Sequence, residues 1–253
     1  MKDFSKKIII GNWKMNLDIK SSVVLAKNIS QGVSKIKTSH EVAILPDFLS
    51  LLEVSRGLNK KILYGSQDVS PFSSGAYTGE VSLESLSKIG CNLVLIGHSE
   101  RRQYFFDETL IADKMKNVLE NSKITPILCV GETWGQRKAG QTLKVINKQI
   151  KLAFSKIKTL KDKKIIIAYE PIWAIGSGKM VLVDEAVLVH KEIKKNIYRN
   201  FKNNLPSELR VIYGGSVNLT NFLDFKNQPD ISGFLIGGSS LKPLDFIKII
   251  NKF

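Results

Sequence analysis

The sequence predicts an α/β protein, a (β/α)8 barrel in which eight short parallel strands, each followed by a helix, close into a single domain over residues 1–253. Three observations carry this. Short β-branched runs alternate along the chain with stretches whose apolar residues recur three and four apart, the signatures of a buried strand and an amphipathic helix. The strand-like runs number eight, the count that closes a parallel barrel. No Gly/Ser/Pro-rich linker or low-complexity tract divides the 253 residues, 43% of them hydrophobic, and that length suits one large core. A doubly wound sheet would want a GxGxxG turn after its first strand, whereas Gly11-Asn-Trp-Lys14 stands there.

The elements follow in order. Lys7-Ile-Ile-Ile-Gly-Asn12 is the first strand, and Leu25, Ile29, Val33 and Ile36 stripe the first helix. Val42–Leu45 and Lys61–Tyr64 are the next strands, with a short helix from about Phe48 to Arg56 between them. A Gly/Ser-rich loop runs to Glu80, then a short helix near Leu83 to Ile89 and strand four, Leu93–Ile96. Ile111, Met115, Val118 and Leu119 stripe the next helix. Ile124–Val130 is strand five, and Leu143, Ile146, Ile150 and Ile157 stripe one long helix. Lys164–Ala168 is strand six, followed by the loop Tyr169-Glu-Pro-Ile-Trp-Ala-Ile-Gly-Ser-Gly-Lys179, an acid followed by an apolar flap that ends in flexible glycines. Ala186, Val189, Ile193 and Ile197 stripe helix six. Leu209–Tyr213 and Ser232–Ile236 are strands seven and eight, with helices near Leu219–Lys226 and Pro243–Asn251.

A net charge of +15 raises nucleic acid and membrane surfaces as partners. The charge is nearly all lysine, scattered on helix-like faces, and the densest run, Lys156 to Lys164, has no interleaved aromatics. A solvated lysine surface is the expectation, with no nucleic acid and no membrane as partner. The apolar run after the basic N-terminus is too short for a signal-peptide core, and no run spans a bilayer. Cys91 and Cys129 lack metal-ligand spacing and read as buried free thiols in a reducing, cytoplasmic setting.

In a barrel all strand ends meet at one mouth. Those ends supply Asn12 and Lys14, His98, Glu170, Ser216, and Gly237-Gly238. A carboxylate can take a proton next to a carbonyl, an imidazole can polarise that carbonyl, and a lysine can offset the charge that develops. Tyr213-Gly-Gly-Ser216 and Ile236-Gly-Gly238 bare backbone N–H groups after strands seven and eight, where barrel enzymes hold phosphate. A small phosphorylated carbonyl compound is the expected substrate. Glu132 also follows a strand and ranks as a supporting group, because no apolar flap accompanies it. His40 and His190 read as structural.

The chain resembles the triosephosphate isomerase family from strand one to strand eight. The matching stretches are Gly11-Asn-Trp-Lys-Met-Asn16, Gly97-His-Ser-Glu-Arg-Arg102, Cys129-Val-Gly-Glu-Thr133, Ala168-Tyr-Glu-Pro-Ile-Trp-Ala-Ile-Gly176, Tyr213-Gly-Gly-Ser-Val217 and Ile236-Gly-Gly238. The resemblance implies a TIM barrel that interconverts dihydroxyacetone phosphate and D-glyceraldehyde 3-phosphate through an enediolate, in glycolysis and gluconeogenesis. It makes Glu170 the base, His98 the neutral electrophile and proton shuttle, and Lys14 the stabilising cation. Asn12 positions substrate, and Gly176, Ser216, Gly237 and Gly238 offer N–H groups to phosphate. Glu100 and Cys129 are supporting groups, and no metal or organic cofactor is expected. The loop Gln67–Glu80 would project into a second subunit, with Thr78 near the partner's active site, so a homodimer is expected.

Three positions depart from the family pattern: Ser177 in the flap, Pro46-Asp47 after strand two and Gly135-Gln136 after strand five. The rival readings are another phosphate-binding barrel of the sugar-phosphate epimerase or aldolase type, and a non-catalytic basic scaffold. The strand ends show neither a clustered His/Asp metal set nor a Schiff-base lysine inside the mouth, and Lys14, His98 and Glu170 are all present.

Overall fold

The computed structural model describes residues 6–176 and 180–253. Strands β1 (Ile8–Asn12), β2 (Glu41–Leu45), β3 (Ile62–Ser66), β4 (Leu93–Ile96), β5 (Thr125–Val130), β6 (Lys164–Tyr169), β7 (Glu208–Tyr213) and β8 (Gly233–Ile236) form a closed barrel in sequence order. All neighbours are parallel, and β1 closes on β8 with Ile8 opposite Gly233 and Gly11 opposite Ile236. Closure depends on a glycine there. Gly233 has φ +147, and a Cβ at that position would stand 1.8 Å from the Ile8 carbonyl oxygen.

Strand residues alternate between two cores, as the period of two requires. Ile8, Ile10, Ala43, Leu45, Leu93, Leu95, Ile127, Cys129, Ile166, Ala168, Ile212 and Leu235 form one cluster inside the barrel. Their chain neighbours, such as Ile9, Ile44, Val94, Ile167 and Val211, join a larger cluster with the buried stripes of the helices. Both sides of every strand are therefore apolar, which is why the strands read as continuous β-branched runs.

The helices are α1 (Ile19–Ser34), α2 (Phe48–Gly57), α3 (Leu83–Lys88), α4 (Ser99–Tyr104), α5 (Ile111–Asn121), α6 (Trp134–Lys138), α7 (Thr142–Ala153), α8 (Val183–Asn200), α9 (Phe222–Lys226) and α10 (Pro243–Lys252). Two of these, α4 and α6, are absent from the sequence reading, since five or six largely polar residues carry no apolar period. The long helix predicted through Ile157 ends at Ala153; Ile157 is buried in the following loop, so its side chain kept the stripe after the backbone had left the helix. Two of the departures prove to be helix caps. Asp47 accepts from the Leu49 and Ser50 N–H groups at the start of α2, and Thr133 with Gln136 forms a capping box on α6. Ser177, the third, lies outside the described residues, as do Gly178 and Lys179 at the end of the flap.

One buried ion cluster ties the long loop after β3 to α4 and α5. Lys114 on α5, 1% exposed, holds Asp68 and Asp107 at 2.7–2.9 Å, and Arg101 on α4 bridges the same two carboxylates at 2.7 and 3.1 Å. Both charges of each sign are matched, the condition for burying them without a large penalty.

His190 on α8 is fully buried, with Nδ1 3.3 Å from the Asp230 carbonyl oxygen. Burial pushes its pKa down to about 3. Its lowered folded-state value sets the sign: as pH falls below the ordinary value near ~6.5, the unfolded chain takes up a proton that the folded chain refuses. Stability is therefore lost from about pH 6.5 downward, by roughly 2 kcal/mol between about pH 7 and about pH 5. Urea unfolding of the native chain and of His190→Gln at those two pH values should differ by that amount; parallel pH dependences would remove His190 as the cause.

Candidate active site

The period of two decides which residues look into the mouth. Carried one step beyond the apolar interior, it turns Asn12 inward after Ile8 and Ile10, Glu170 after Ile166 and Ala168, Gly214 after Ile212, and Gly237 after Leu235. These line a cavity of about 490 Å³ together with Lys14, His98, Gly176, Ser216 and Gly238. Every residue expected to bind substrate or do chemistry thus faces one space. Glu100 and Cys129 stand around it, and Thr78 does not line it.

The central pair is an acid and an imidazole. Glu170 is 2% exposed and His98 5%, with Oε1 of the carboxylate 3.3 Å from Nε2 of the ring. Glu170 Oε2 accepts from the Ser99 N–H at 3.3 Å. His98 also caps α4, its Nδ1 accepting from the Glu100 N–H at 3.3 Å. In that arrangement Nδ1 is the accepting nitrogen, and Nε2 points toward Glu170 and the cavity.

Lys14 sits in a left-handed backbone conformation, φ 53, uncommon for a residue with a side chain. The turn is held from two sides. Asn12 Oδ1 accepts from the Lys14 N–H at 3.1 Å, and Gln67 Nε2 donates to the carbonyls of Lys14 and Leu45 at 2.9 and 3.0 Å. Lys14 Nζ lies 2.5 Å from Glu100 Oε1, and Glu100 Oε2 is 3.5 Å from His98 Nδ1, so one carboxylate stands between cation and imidazole. Cys129 lies in the barrel interior; burial, and then the nearby Glu170 carboxylate, push its thiol well above the ordinary range. It is a wall of the site and no nucleophile at neutral pH.

The opposite side of the cavity is built from the loops after β7 and β8. Gly237 leads into a 3₁₀ turn over Gly238–Leu241. The loop after β7 is buckled by Asn221, 2% exposed, which accepts from the Asn218 N–H and donates to the Ser216 carbonyl at 2.9 and 2.8 Å. Ser239 Oγ donates to the Val217 carbonyl at 3.0 Å and joins the two loops. Sequence reading missed Gln67 and Asn221, both ordinary amides; Gln67 follows β3 directly, so the strand-end rule that found the others points to it too.

The first half of the flap is anchored. Ile172–Ala174 form a 3₁₀ turn, and Trp173 Nε1 donates to Glu132 Oε1 at 2.9 Å. Tyr169 OH donates to the same oxygen at 3.2 Å, and the Arg137 guanidinium covers the Trp173 ring at 4.6 Å. Glu132 is fully buried and does not line the mouth. Gly176, φ +66, is the last flap residue described.

Among the described residues, no group of three or more His, Cys, Asp or Glu side chains is gathered to hold a metal ion. The loop after β3 is exposed from Phe72 through Glu80, Thr78 included, with Phe72 and Tyr77 stacked at 3.8 Å.

Comparison with known proteins identifies a family. The triosephosphate isomerase family model matches residues 7–253. The triosephosphate isomerase of Alkaliphilus metalliredigens is 42% identical over 97% of this chain and 99% of its own length. That of Chloroherpeton thalassium is 40% identical over 97% and 98%, and that of Francisella philomiragia 36% over 98% and 97%.

Gly214 tests how tightly the acid is held. A Cβ there would stand 2.9 Å from Glu170 Cγ. Gly214→Ala should displace the carboxylate by a fraction of an ångström to about 1 Å and lower kcat by up to about 100-fold. Steady-state kinetics beside an unchanged circular-dichroism spectrum would check it; normal turnover would mean that the acid tolerates displacement.

Proposed function

The chain belongs to the triosephosphate isomerase family, and from that premise we propose that Glu170, His98 and Lys14 interconvert dihydroxyacetone phosphate and D-glyceraldehyde 3-phosphate. The observation that carries the residue assignment is the buried Glu170–His98 pair, 3.3 Å apart in a cavity lined on one side by the Gly214-Gly-Ser216 and Gly237-Gly238 turns. Glu170 takes a proton from the carbon beside the carbonyl, the C–H electrons form the carbon–carbon double bond, and the carbonyl pair moves onto oxygen. His98 Nε2–H, which faces Glu170 here, donates to that oxygen once substrate lies between them, and this leaves the carboxylate free to act. Protonated Glu170 then returns the proton to the neighbouring carbon, while His98 relays the hydroxyl proton between the two oxygens. Lys14 offsets the charge of the enediolate, and Asn12 holds Lys14 in place.

The N–H groups of Gly176, Ser216, Gly237 and Gly238 are the proposed phosphate cradle. Excluding water matters because an exposed enediolate can expel phosphate, and the Trp173–Glu132 anchor gives the flap a fixed end from which to cover the site. Only protons move, so the steps call on no metal or organic cofactor. We also infer a cytoplasmic setting, consistent with two buried free thiols and, among the described residues, no helix long and apolar enough to cross a membrane.

We infer a homodimer, and the surface supports it. Met15, Leu49, Phe72, Tyr77, Phe105 and Phe106 are exposed on segments that follow β1 to β4, and barrel order sets those four strands side by side. An apolar rim of that kind calls for a covering partner. The projecting loop around Thr78 is the segment proposed to reach it.

A coupled isomerase assay tests the chemistry. Glu170→Asp withdraws the carboxylate by about 1 Å and should lower kcat by about 100-fold with KM little changed; an unchanged rate would remove Glu170 as the base. In sedimentation velocity the protein should run at twice its 28.3 kDa mass. A fully active monomer at low concentration would overturn the dimer.

A further inference from the structure

The lysines that look scattered in sequence are gathered by the topology. In a closed parallel barrel every segment leading into a strand lies at the end opposite the mouth. All eight such segments carry lysine: Lys6 and Lys7 before β1, Lys35 and Lys37 before β2, Lys60 and Lys61 before β3, Lys88 before β4, Lys123 before β5, Lys158, Lys161 and Lys163 before β6, Lys202 before β7, and Lys226 before β8. Most are exposed. We propose that this lysine-ringed face is a docking surface for an anionic lipid bilayer, with the catalytic mouth turned away from it.

Helix dipoles do not account for the ring. Lysine at a helix C-terminus is favoured, and Lys88 in the last turn of α3 has that explanation. Lys60, Lys61, Lys123, Lys158 and Lys161 lie beyond the ends of α2, α5 and α7, where the dipole has no hold on them. Neutralisation is sparse as well. Glu41 and Glu208 are both engaged by Arg210, Glu208 also by Lys164, and Asp230 by Lys191 and Lys194. Among the described residues no ion pair is seen for Lys60, Lys61, Lys123, Lys158 or Lys202. Meanwhile acids cap or open helices at the mouth end, among them Asp18, Asp47, Glu84, Glu100, Asp184 and Asp245. The molecule is therefore polarised along the barrel axis.

The form of the ring favours a bilayer. Eight turns at one end of a barrel are roughly coplanar, so a flat partner meets all of them together, whereas a nucleic-acid strand would cross only some. The cations are lysines, compact charges suited to a diffuse, hydrated headgroup layer rather than to bidentate recognition of single phosphates. The recess of about 640 Å³ at the centre of the ring is not the site, because Arg210 and Lys164 in its lining are already engaged by Glu41 and Glu208. Attraction resides in the rim.

Vesicle co-sedimentation tests this. The protein should pellet with phosphatidylglycerol-containing vesicles at about 50 mM salt, much less at about 300 mM, and not with pure phosphatidylcholine. Lys60→Glu/Lys158→Glu/Lys202→Glu should lower the bound fraction about tenfold with isomerase activity unchanged. Lys20→Glu/Lys27→Glu/Lys144→Glu, an equal change of net charge on exposed helix positions, should lower it less than about twofold. Equal losses in the two triple variants would reduce the effect to net charge and overturn the proposal. So would failure to bind anionic vesicles at low salt, or retention by duplex DNA in preference to vesicles.

Discussion

The pairing of β1 with β8 is the constraint on which the rest depends. Without it the sheet has two open edges, and residues from β1 and β8 that share the cavity would stand at opposite ends of the molecule. With it, Asn12 and Lys14 come beside Gly237 and Gly238, and the cation meets the glycine turn proposed to hold phosphate. The join is made at close quarters: Gly233 lets the Ile8 carbonyl approach where any side chain would block it. Closure also defines a top and a bottom, because every strand runs the same way. Both the mouth and the lysine ring are consequences of that single direction.

Within the barrel the period of two writes three layers. The inward column of β7 reads Glu208, Arg210, Ile212, Gly214: a charged floor, an apolar middle and a mouth residue. The floor is closed by Arg210 paired with Glu41 and Glu208, and Lys164 joins from β6. The middle is aliphatic apart from Cys129. It separates the two charged ends by a low-dielectric layer, so the charges of the floor and of the mouth act largely on their own surroundings. Charged groups inside the barrel stand at its two ends, which is why the interior could be read as apolar runs while its ends could not.

That difference fixes what the sequence reveals. Strands β1 to β8 and the long helices are legible because burial on both faces imposes β-branched runs and three-four spacing. Helices α4 and α6 are not, because they are made by capping: His98 and Thr133 set their first turns, and Ser99-Glu-Arg-Arg-Gln-Tyr104 shows no stripe. Ile157 misled in the opposite direction, since a buried isoleucine in a loop looks like the next step of a helix. In the site, the side chains proposed for chemistry stand at strand ends, where the sequence reading looked, whereas Gln67 and Asn221, which hold backbone, carry no residue-type signature. The lysines illustrate the same limit on a larger scale. Their separation in sequence hides an arrangement that only strand direction discloses.

Two glutamates stand within two residues of a strand end here, Glu132 after β5 and Glu170 after β6, and alternation separates their directions. On β6, Ile166 and Ala168 face the interior, so Glu170 continues inward and Tyr169 outward. After β5, Ile127 and Cys129 face the interior, so Val130 turns outward and Glu132 with it. Glu132 accordingly meets the outward Tyr169 and the flap residue Trp173, and its Oε1 is occupied by their two hydrogen bonds. A base must reach a substrate carbon, and a carboxylate outside the sheet cannot. The residues adjacent in sequence are therefore coupled in function: Tyr169 ties β6 to the flap anchor, Glu170 presents the acid, and Pro171 begins the flap. Trp173, held on Glu132, stands three peptide units from the acid, so the flap anchor and Glu170 are joined by one short stretch of chain.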